Sequence, residues 1–462
     1  MPHLNRQSWL VAGWIAFLAI LVGSLNFNNG LIPPSLYLIR YRSHGMEFAQ
    51  GLVYSVTYPM WGYPLLVAGV ALFSMEWLDA LVFAIQVAVG AGLVLMWLLP
   101  LKISWRPRQV AILTCLLVPV FSFVSLRAPD AWAVMAMMFI LLCLRNWMQT
   151  KRRVWVVSAA IAAAIGVNMR SELLGFFVSG TGIALLGVFL IKQIWTRQLA
   201  IWFSVLFIGA GIGLIPWMIH AYRLTGVVLL SSTNSGMTMY EGFAQIPNNP
   251  WGRQDCDCEP QRYADSIGVR DIVSVQGNDA LLAASLQDIK KYPMVYVAKV
   301  GYNFVRALTS GVHWMDDWWG PKIVHGSTQM QRLQRALTGE PLALVWLVRT
   351  LGYWFYRGIF FVMCIGAFWL AWRAVKSDQI SLDHRLLILF SVGYLLYTFL
   401  MVALIRFEVR YATPPYPLLV FMLVNLFASG SWREVWGEKL ARVFTRVQNR
   451  RFGEMARNNL NA

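Results

Sequence analysis

The sequence predicts an all-α protein that crosses a membrane many times, and three observations lead there. Of its 462 residues, 58% are hydrophobic and 13% are charged, against about 25% charged in an average soluble domain. The apolar residues fall in blocks long enough to cross a bilayer, which takes roughly 20 residues as a helix. The basic residues behind the net charge of +17 lie mostly between those blocks. There they set orientation and meet anionic lipid heads, so the charge does not point to nucleic acid.

Arg6 precedes the first block, Ser8 to Asn26, and places the N-terminus inside. No small-residue cleavage site follows, so this block reads as a retained span and not a signal peptide. Residues 27–77 then form the first outer loop. Within it Pro59 to Phe73 is apolar but short, and reads as a juxtamembrane helix. The next block, Leu78 to Leu99, ends in a loop holding Lys102, Arg106 and Arg108, which belongs inside. Spans then alternate through Val110–Val124, Ala131–Leu144, Val154–Val167, Leu173–Ile191 and Leu199–Ile219. Residues 220–345 are rich in Asn, Asp, Gln, Gly and Pro and form one outer soluble insert. Within it Tyr292 to Val312 is apolar enough to lie against the membrane, but Lys299 and Arg306 argue against its crossing. Three more spans, Gly352–Trp372, Leu386–Ile405 and Pro415–Ala428, complete a C-terminal set within 346–431. A basic tail, 432–462, reads as an amphipathic helix on the inner surface. The expected total is about ten spans, with both ends inside and residues 1–219 as the N-terminal membrane module.

Three of the five cysteines, Cys115, Cys143 and Cys364, fall inside apolar blocks and read as packing. Cys256 and Cys258 stand two residues apart among acids. A bridge between them would be strained, and two thiols without a nearby His pair are a weak metal signal.

The polar residues gather on one side. The outer ends of the spans receive His44, Glu47, Asp130, Arg170, Glu172, Arg406, Glu408 and Arg410. One such charge at a helix end commonly snorkels. The set pairs acids with arginines, whereas the inner loops carry cations with few acids. Arginine holds phosphate bidentately and stays charged, and a carboxylate beside it can take the proton of an incoming hydroxyl. That pairing suits sugar transfer from a donor with a phosphate leaving group. Tyr58, Trp61, Tyr63, Trp314, Trp318 and Trp319 are aromatic platforms for a sugar, or equally an interfacial belt.

The chain resembles the GT-C superfamily of polyprenyl-phosphate-dependent glycosyltransferases. It looks closest to the branch with protein O-mannosyltransferases and the bacterial aminoarabinose transferase of lipid A. Tyr58-Pro-Met-Trp-Gly-Tyr-Pro-Leu-Leu66 is similar to the family's Pro-rich segment after the first outer loop. Arg127-Ala-Pro-Asp130 looks like its acid-bearing second outer loop, and Met169-Arg-Ser-Glu-Leu-Leu174 like its basic residue and Glu between two spans. Ser232-Thr-Asn-Ser-Gly-Met-Thr-Met-Tyr-Glu-Gly242 resembles the start of its outer region. Glu408-Val-Arg-Tyr-Ala-Thr-Pro-Pro-Tyr-Pro417 resembles its late Arg-Tyr-x-x-Pro loop.

The resemblance implies a GT-C-like fold and a polyprenyl-phosphate-linked sugar as donor, with inverting displacement. The acceptor would be a glycan, lipid or protein on the outer face of the plasma (inner) membrane. Arg170 with Arg406 or Arg410 would hold the phosphate, and His44 would orient the base or donate to the donor. Tyr58, Trp61, Tyr63, Glu172, Glu408 and Tyr411 would meet sugar or acceptor. Some relatives use a divalent metal, and Asp255, Asp257 and Glu259 form an acidic run that could host one. One position departs from the pattern. The family's catalytic Asp falls at Tyr41, and Arg40, Tyr41 and Arg42 contain no acid. Glu47, the sole carboxylate between Ser24 and Met75, is the first candidate base, and Asp130 is the second.

A polysaccharide polymerase or ligase using a lipid diphosphate would share the outer arginines. A transporter or flippase would instead show repeated halves and charges within spans, which this sequence lacks.

Overall fold

The computed structural model describes residues 6–28, 36–51, 56–101, 107–125, 128–191, 193–246, 249–253, 256, 258–310, 331, 334–335, 337–338, 341–376 and 380–428. A bilayer offers no water to backbone N–H and C=O groups, so a crossing segment must satisfy them within itself, as a helix does. The described residues accordingly form helices and no strands.

Seven helices are long and apolar enough to cross a membrane. They are α4 (Leu78–Leu98), α5 (Pro107–Val124), α6 (Pro129–Thr150), α8 (Glu172–Leu190), α9 (Ile194–Thr225), α14 (Pro341–Lys376) and α15 (Leu382–Leu404). Four other expected or marginal segments form shorter apolar stretches. Trp9–Ser24 lies in α1 (Arg6–Asn28), Gly62–Ala71 is α3, Arg153–Met169 is α7 and Pro415–Ala428 is α17. At 1.5 Å per residue, the 10 residues of α3 and the 17 of α7 reach about 15 and 25 Å, short of the roughly 30 Å hydrocarbon core, whereas the 23 residues of α1 reach about 34 Å. Two expected boundaries move. Helix α9 continues past Ile219 to Thr225, so His220 belongs to it, and α14 begins at Pro341 instead of Gly352.

Helices α6 and α15 form the centre, being the most enclosed of the long helices, while α8 is the least. On α8, Ile183, Leu186, Phe189 and Leu190 point outward, as a lipid-facing surface requires. Helix α7 packs between α6 and α9, α1 lies against α4 and α5, and α15 lies against α14, α17 and α13 (Pro293–Ser310). One buried cation in this core has a plain reason. Arg145 on α6 donates to the Trp97 carbonyl at 2.7 Å and lies 4.5 Å over the Trp97 ring. It satisfies a carbonyl at the C-terminal end of α4, which the helix leaves open.

The turns holding Lys151, Arg152 and Arg153, and Arg373 with Lys376, belong to one end of the bundle. The start of α6, the α7–α8 turn and the ends of α9 and α15 belong to the other. The insert sits at that second end with α10 (Ser235–Gly242), a 3-10 turn (Phe243–Gln245), α11 (Cys258–Ser266), α12 (Val275–Lys291) and α13. Ser274 caps α12 by accepting from the Gly277 N–H at 3.1 Å, and Lys290 and Lys291 occupy its last turn, where the dipole favours cations. Thr57 and Thr233 join the first outer loop to the insert through their hydroxyls at 2.8 Å. Cys256 and Cys258 are joined by a disulfide.

Candidate functional site

A cavity of ≈ 370 Å³ opens at the insert end of the bundle. Asp130 is the second residue of α6, behind Pro129, where its charge meets the positive end of the helix dipole. Arg170 occupies the short turn between α7 (Arg153–Met169) and α8, and Glu172 opens α8. Arg170 lies between two acids. One guanidinium nitrogen pairs with Asp130, and two others reach Glu172 at 2.9 and 3.0 Å. Its carbon sits 4.8 Å over the ring of Tyr411. Asp130 is 4% exposed, and its Oδ2 has no hydrogen-bond partner among the described residues. Buried carboxylate oxygens are normally satisfied; this one is itself buried and unpaired, on a residue that lines the cavity.

The α7–α8 turn is fixed from below. Gly62 packs against the Asn168 carbonyl, where a Cβ would overlap it. Asn168 accepts from Trp61 Nε1 at 2.8 Å and donates to the carbonyls of Ala164 and Gly213 at 2.9 and 2.8 Å. Trp61 stacks on His220 at 5.5 Å. Trp61 therefore supports the Arg170 turn and does not line the cavity, as Tyr58 does. Tyr63 is buried edge-on against Tyr41, with ring centres 5.3 Å apart.

The opposite wall is a single face of α15. Tyr394, Tyr397, Thr398, Met401 and Val402, with Ile405 just beyond, follow the three-and-four spacing of one helical stripe. That stripe runs about 16 Å at 1.5 Å per residue. Tyr397 donates to the Glu172 carbonyl at 2.6 Å, tying the two walls together. Arg406 follows at the rim, paired with Glu241 and 3.5 Å from Glu408. Ser231, Ser232, Asn234, Ser235 and Thr238 line the insert side with hydroxyl and amide groups.

No family model, curated protein or solved structure matches the chain.

Asp130, Arg170, Glu172, Arg406, Tyr58 and Tyr411 thus meet at one cavity. Glu47 and His44 are placed apart from it. They pair with each other at 2.9 Å on α2 (Leu36–Ala49) and are not among the lining residues. The helical turn explains this. Tyr41 lines the cavity, and at 3.6 residues per turn Glu47, six positions on, points about 120° away from it. Glu408 stands behind Arg406 and off the lining. The side chain of Arg410, and residues Trp314, Trp318, Trp319, Arg127, Asp255, Asp257 and 432–462, lie outside the described residues. Beside the acidic run, the ligand atoms of Cys256, Cys258 and Glu259 lie within 4.8 Å of one another; the two sulfurs are bonded to each other and Glu259 pairs with Arg262 at 2.8 Å.

Sequence reasoning missed the hydroxyl wall, the α15 stripe and Glu241. The stripe's spacing was readable, but inside a wholly apolar span nothing marks which face is buried. Glu241, 0% exposed, stands in the Ser232–Gly242 segment, but nothing there gave it a role before its arginine was known.

Proposed function

We propose that the protein is an integral membrane glycosyltransferase that moves a sugar from a polyprenyl-phosphate donor to an acceptor hydroxyl. The observation that carries this is the buried, unpaired Oδ2 of Asp130 beside Arg170, in a cavity that Arg406 also lines. Asp130 takes the proton of the acceptor hydroxyl as its oxygen bonds to the anomeric carbon with inversion. The bond from that carbon to phosphate breaks, and the negative charge stays on the polyprenyl phosphate. Arg170 and Arg406 stabilise that charge. The apolar α15 stripe suits the first isoprene units, and the Ser- and Thr-lined wall suits sugar hydroxyls.

In the same reading the bundle has about ten spans of a GT-C-like kind, with its shorter helices crossing where the bilayer thins. The loops rich in Lys and Arg face the cytoplasm, so the cavity faces outward across the plasma membrane. The Cys256–Cys258 disulfide supports that side, because such bonds persist in oxidising compartments.

The test is incubation of the purified protein with a panel of radiolabelled polyprenyl-phosphate sugars and a membrane extract. Transfer with release of polyprenyl phosphate is expected from the wild-type protein and not from Asp130→Asn. Absence of transfer and of polyprenyl-phosphate binding across the panel would overturn the proposal.

A further inference from the structure

The turn that carries Arg406 leaves α15 through the Ile405 N–H, which donates to the Met401 carbonyl at 3.0 Å. It is also held from the insert. Lys299 of α13, 0% exposed, donates from Nζ to the carbonyls of Leu404 and Ile405 at 2.8 and 2.6 Å. Tyr296, one residue short of a turn earlier, donates to the same Leu404 carbonyl at 2.9 Å. Gln245 clasps Phe407 by the peptide groups on both sides of it. Its Nε2 donates to the Phe407 carbonyl at 2.8 Å, and its Oε1 accepts the Phe407 N–H at 2.7 Å. Gly242 packs against the Ile405 carbonyl with no room for a Cβ. Between these clasps the turn sends Ile405 and Arg406 to the cavity.

A helix C-terminus can be satisfied by water or by a local glycine cap. Burying a lysine for that purpose is costly, because its ammonium must leave water. The lysine is also a poor choice for mere packing. Its length and three donors let it reach two successive carbonyls of the neighbouring α15 end.

We propose that Lys299 is a positioning residue for donor binding: from inside the insert it fixes the backbone turn that presents Arg406 to the cavity. The proposal rests on the reading of Arg406 as a phosphate ligand. It follows that the insert shapes the donor site as well as whatever it offers the acceptor.

The experiment measures binding of polyprenyl phosphate, without sugar, to the full-length protein in detergent micelles, alongside hydrogen exchange at the Phe407 amide. Lys299→Met keeps the apolar stem and removes the donors. It is expected to bind about tenfold more weakly and to exchange Phe407 faster. Lys299→Arg, with a fork that spans two acceptors, is expected to recover most of the affinity. Should Lys299→Met not fold, Tyr296→Phe removes one bond to the same carbonyl and is expected to shift both readings in the same direction, by less. Wild-type affinity and Phe407 protection in these variants, with Arg406→Ala weakened, would overturn the positioning role and leave the transferase reading standing. Absence of binding by the wild-type protein would instead overturn the transferase reading, and this role with it.

Discussion

Replacing Asp130 with Asn removes a proton acceptor while keeping the shape of the side chain. The remaining oxygen still faces Arg170, and Arg170 keeps both bonds to Glu172 at 2.9 and 3.0 Å, so the turn holds its place. A positioned general base contributes about 10²–10⁴-fold to a rate, or roughly 2.7–5.4 kcal/mol of barrier at 1.36 kcal/mol per decade. The turnover number of Asp130→Asn should fall by that factor. Donor KM should not rise, because the change removes a negative charge beside the phosphate site. Transfer of labelled sugar at saturating and sub-saturating donor separates the two parameters. In Glu47→Gln, whose carboxylate pairs with His44 away from the cavity, the rate should stay within about twofold, the spread of ordinary surface changes. A rise in donor KM with turnover intact in Asp130→Asn would show that Asp130 merely holds Arg170. A collapse of turnover in Glu47→Gln would return the base to α2.

Arg406→Ala should lower the unfolding free energy by about 3–5 kcal/mol, because it removes the cation paired with the buried Glu241; adding Glu241→Gln should restore much of that in a denaturation series. Gly62→Ala places a methyl against the Asn168 carbonyl and should cost about 1–3 kcal/mol as overpacking, with a matching loss of donor affinity measured by polyprenyl-phosphate binding. Burial pushes Lys299 down to about 7 from its ordinary value of 10.5; the unfolded chain holds this proton more tightly, so stability should rise as pH goes from about 7 towards 10.5 and should not change through this group below 7. Tyr296, raised by burial, is its titratable neighbour on α13, and the Arg406–Glu241 pair lies just beyond the capped carbonyls. The difference between wild-type and Lys299→Met melting temperatures over pH 6–9 isolates the lysine, and an identical pH dependence in the two would refute the assignment.

The membrane architecture was legible because it depends on composition. An apolar block must become a helix whatever its neighbours are, and α4, α6, α8 and α15 lie close to where hydropathy puts them. The grouping of Asp130, Arg170, Glu172 and Arg406 was legible for a related reason, since alternating spans return their ends to one side. What hydropathy cannot give is rotation about a helix axis. Glu47 and Tyr41 occupy the same helix, yet only Tyr41 of the two lines the cavity. The sequence position of Glu47, the sole acid between Ser24 and Met75, carried no information on its direction. Helix α13 shows the opposite case. Lys299 ruled out a crossing, but whether it snorkels or caps a neighbour depends on α15, whose carbonyls lie 105 and 106 residues along the chain.

On the proposed reading, the charges of the cavity set how a phosphate reaches its arginines. Two guanidiniums, Arg170 and Arg406, are paired with four carboxylates, Asp130, Glu172, Glu241 and Glu408, so a phosphate would compete with an acid. The four are not equally displaceable. Asp130 and Glu241 are 4% and 0% exposed, whereas the Glu172 side chain is 47% exposed and can swing into water at little cost. An exposed ion pair of this kind contributes only about 0.2–1 kcal/mol. On the proposed reading the phosphate would enter in place of Glu172, leaving Asp130 beside Arg170. Glu172→Gln should then tighten polyprenyl-phosphate binding by about 1.5- to 5-fold, the affinity equivalent of that pair energy, and the gain should shrink as salt is added. Titration of the sugar-free lipid isolates this from any contact with a sugar hydroxyl. Weaker binding in Glu172→Gln would mean that the carboxylate orients Arg170 for the phosphate instead of competing with it, and the order of displacement argued from exposure would be wrong.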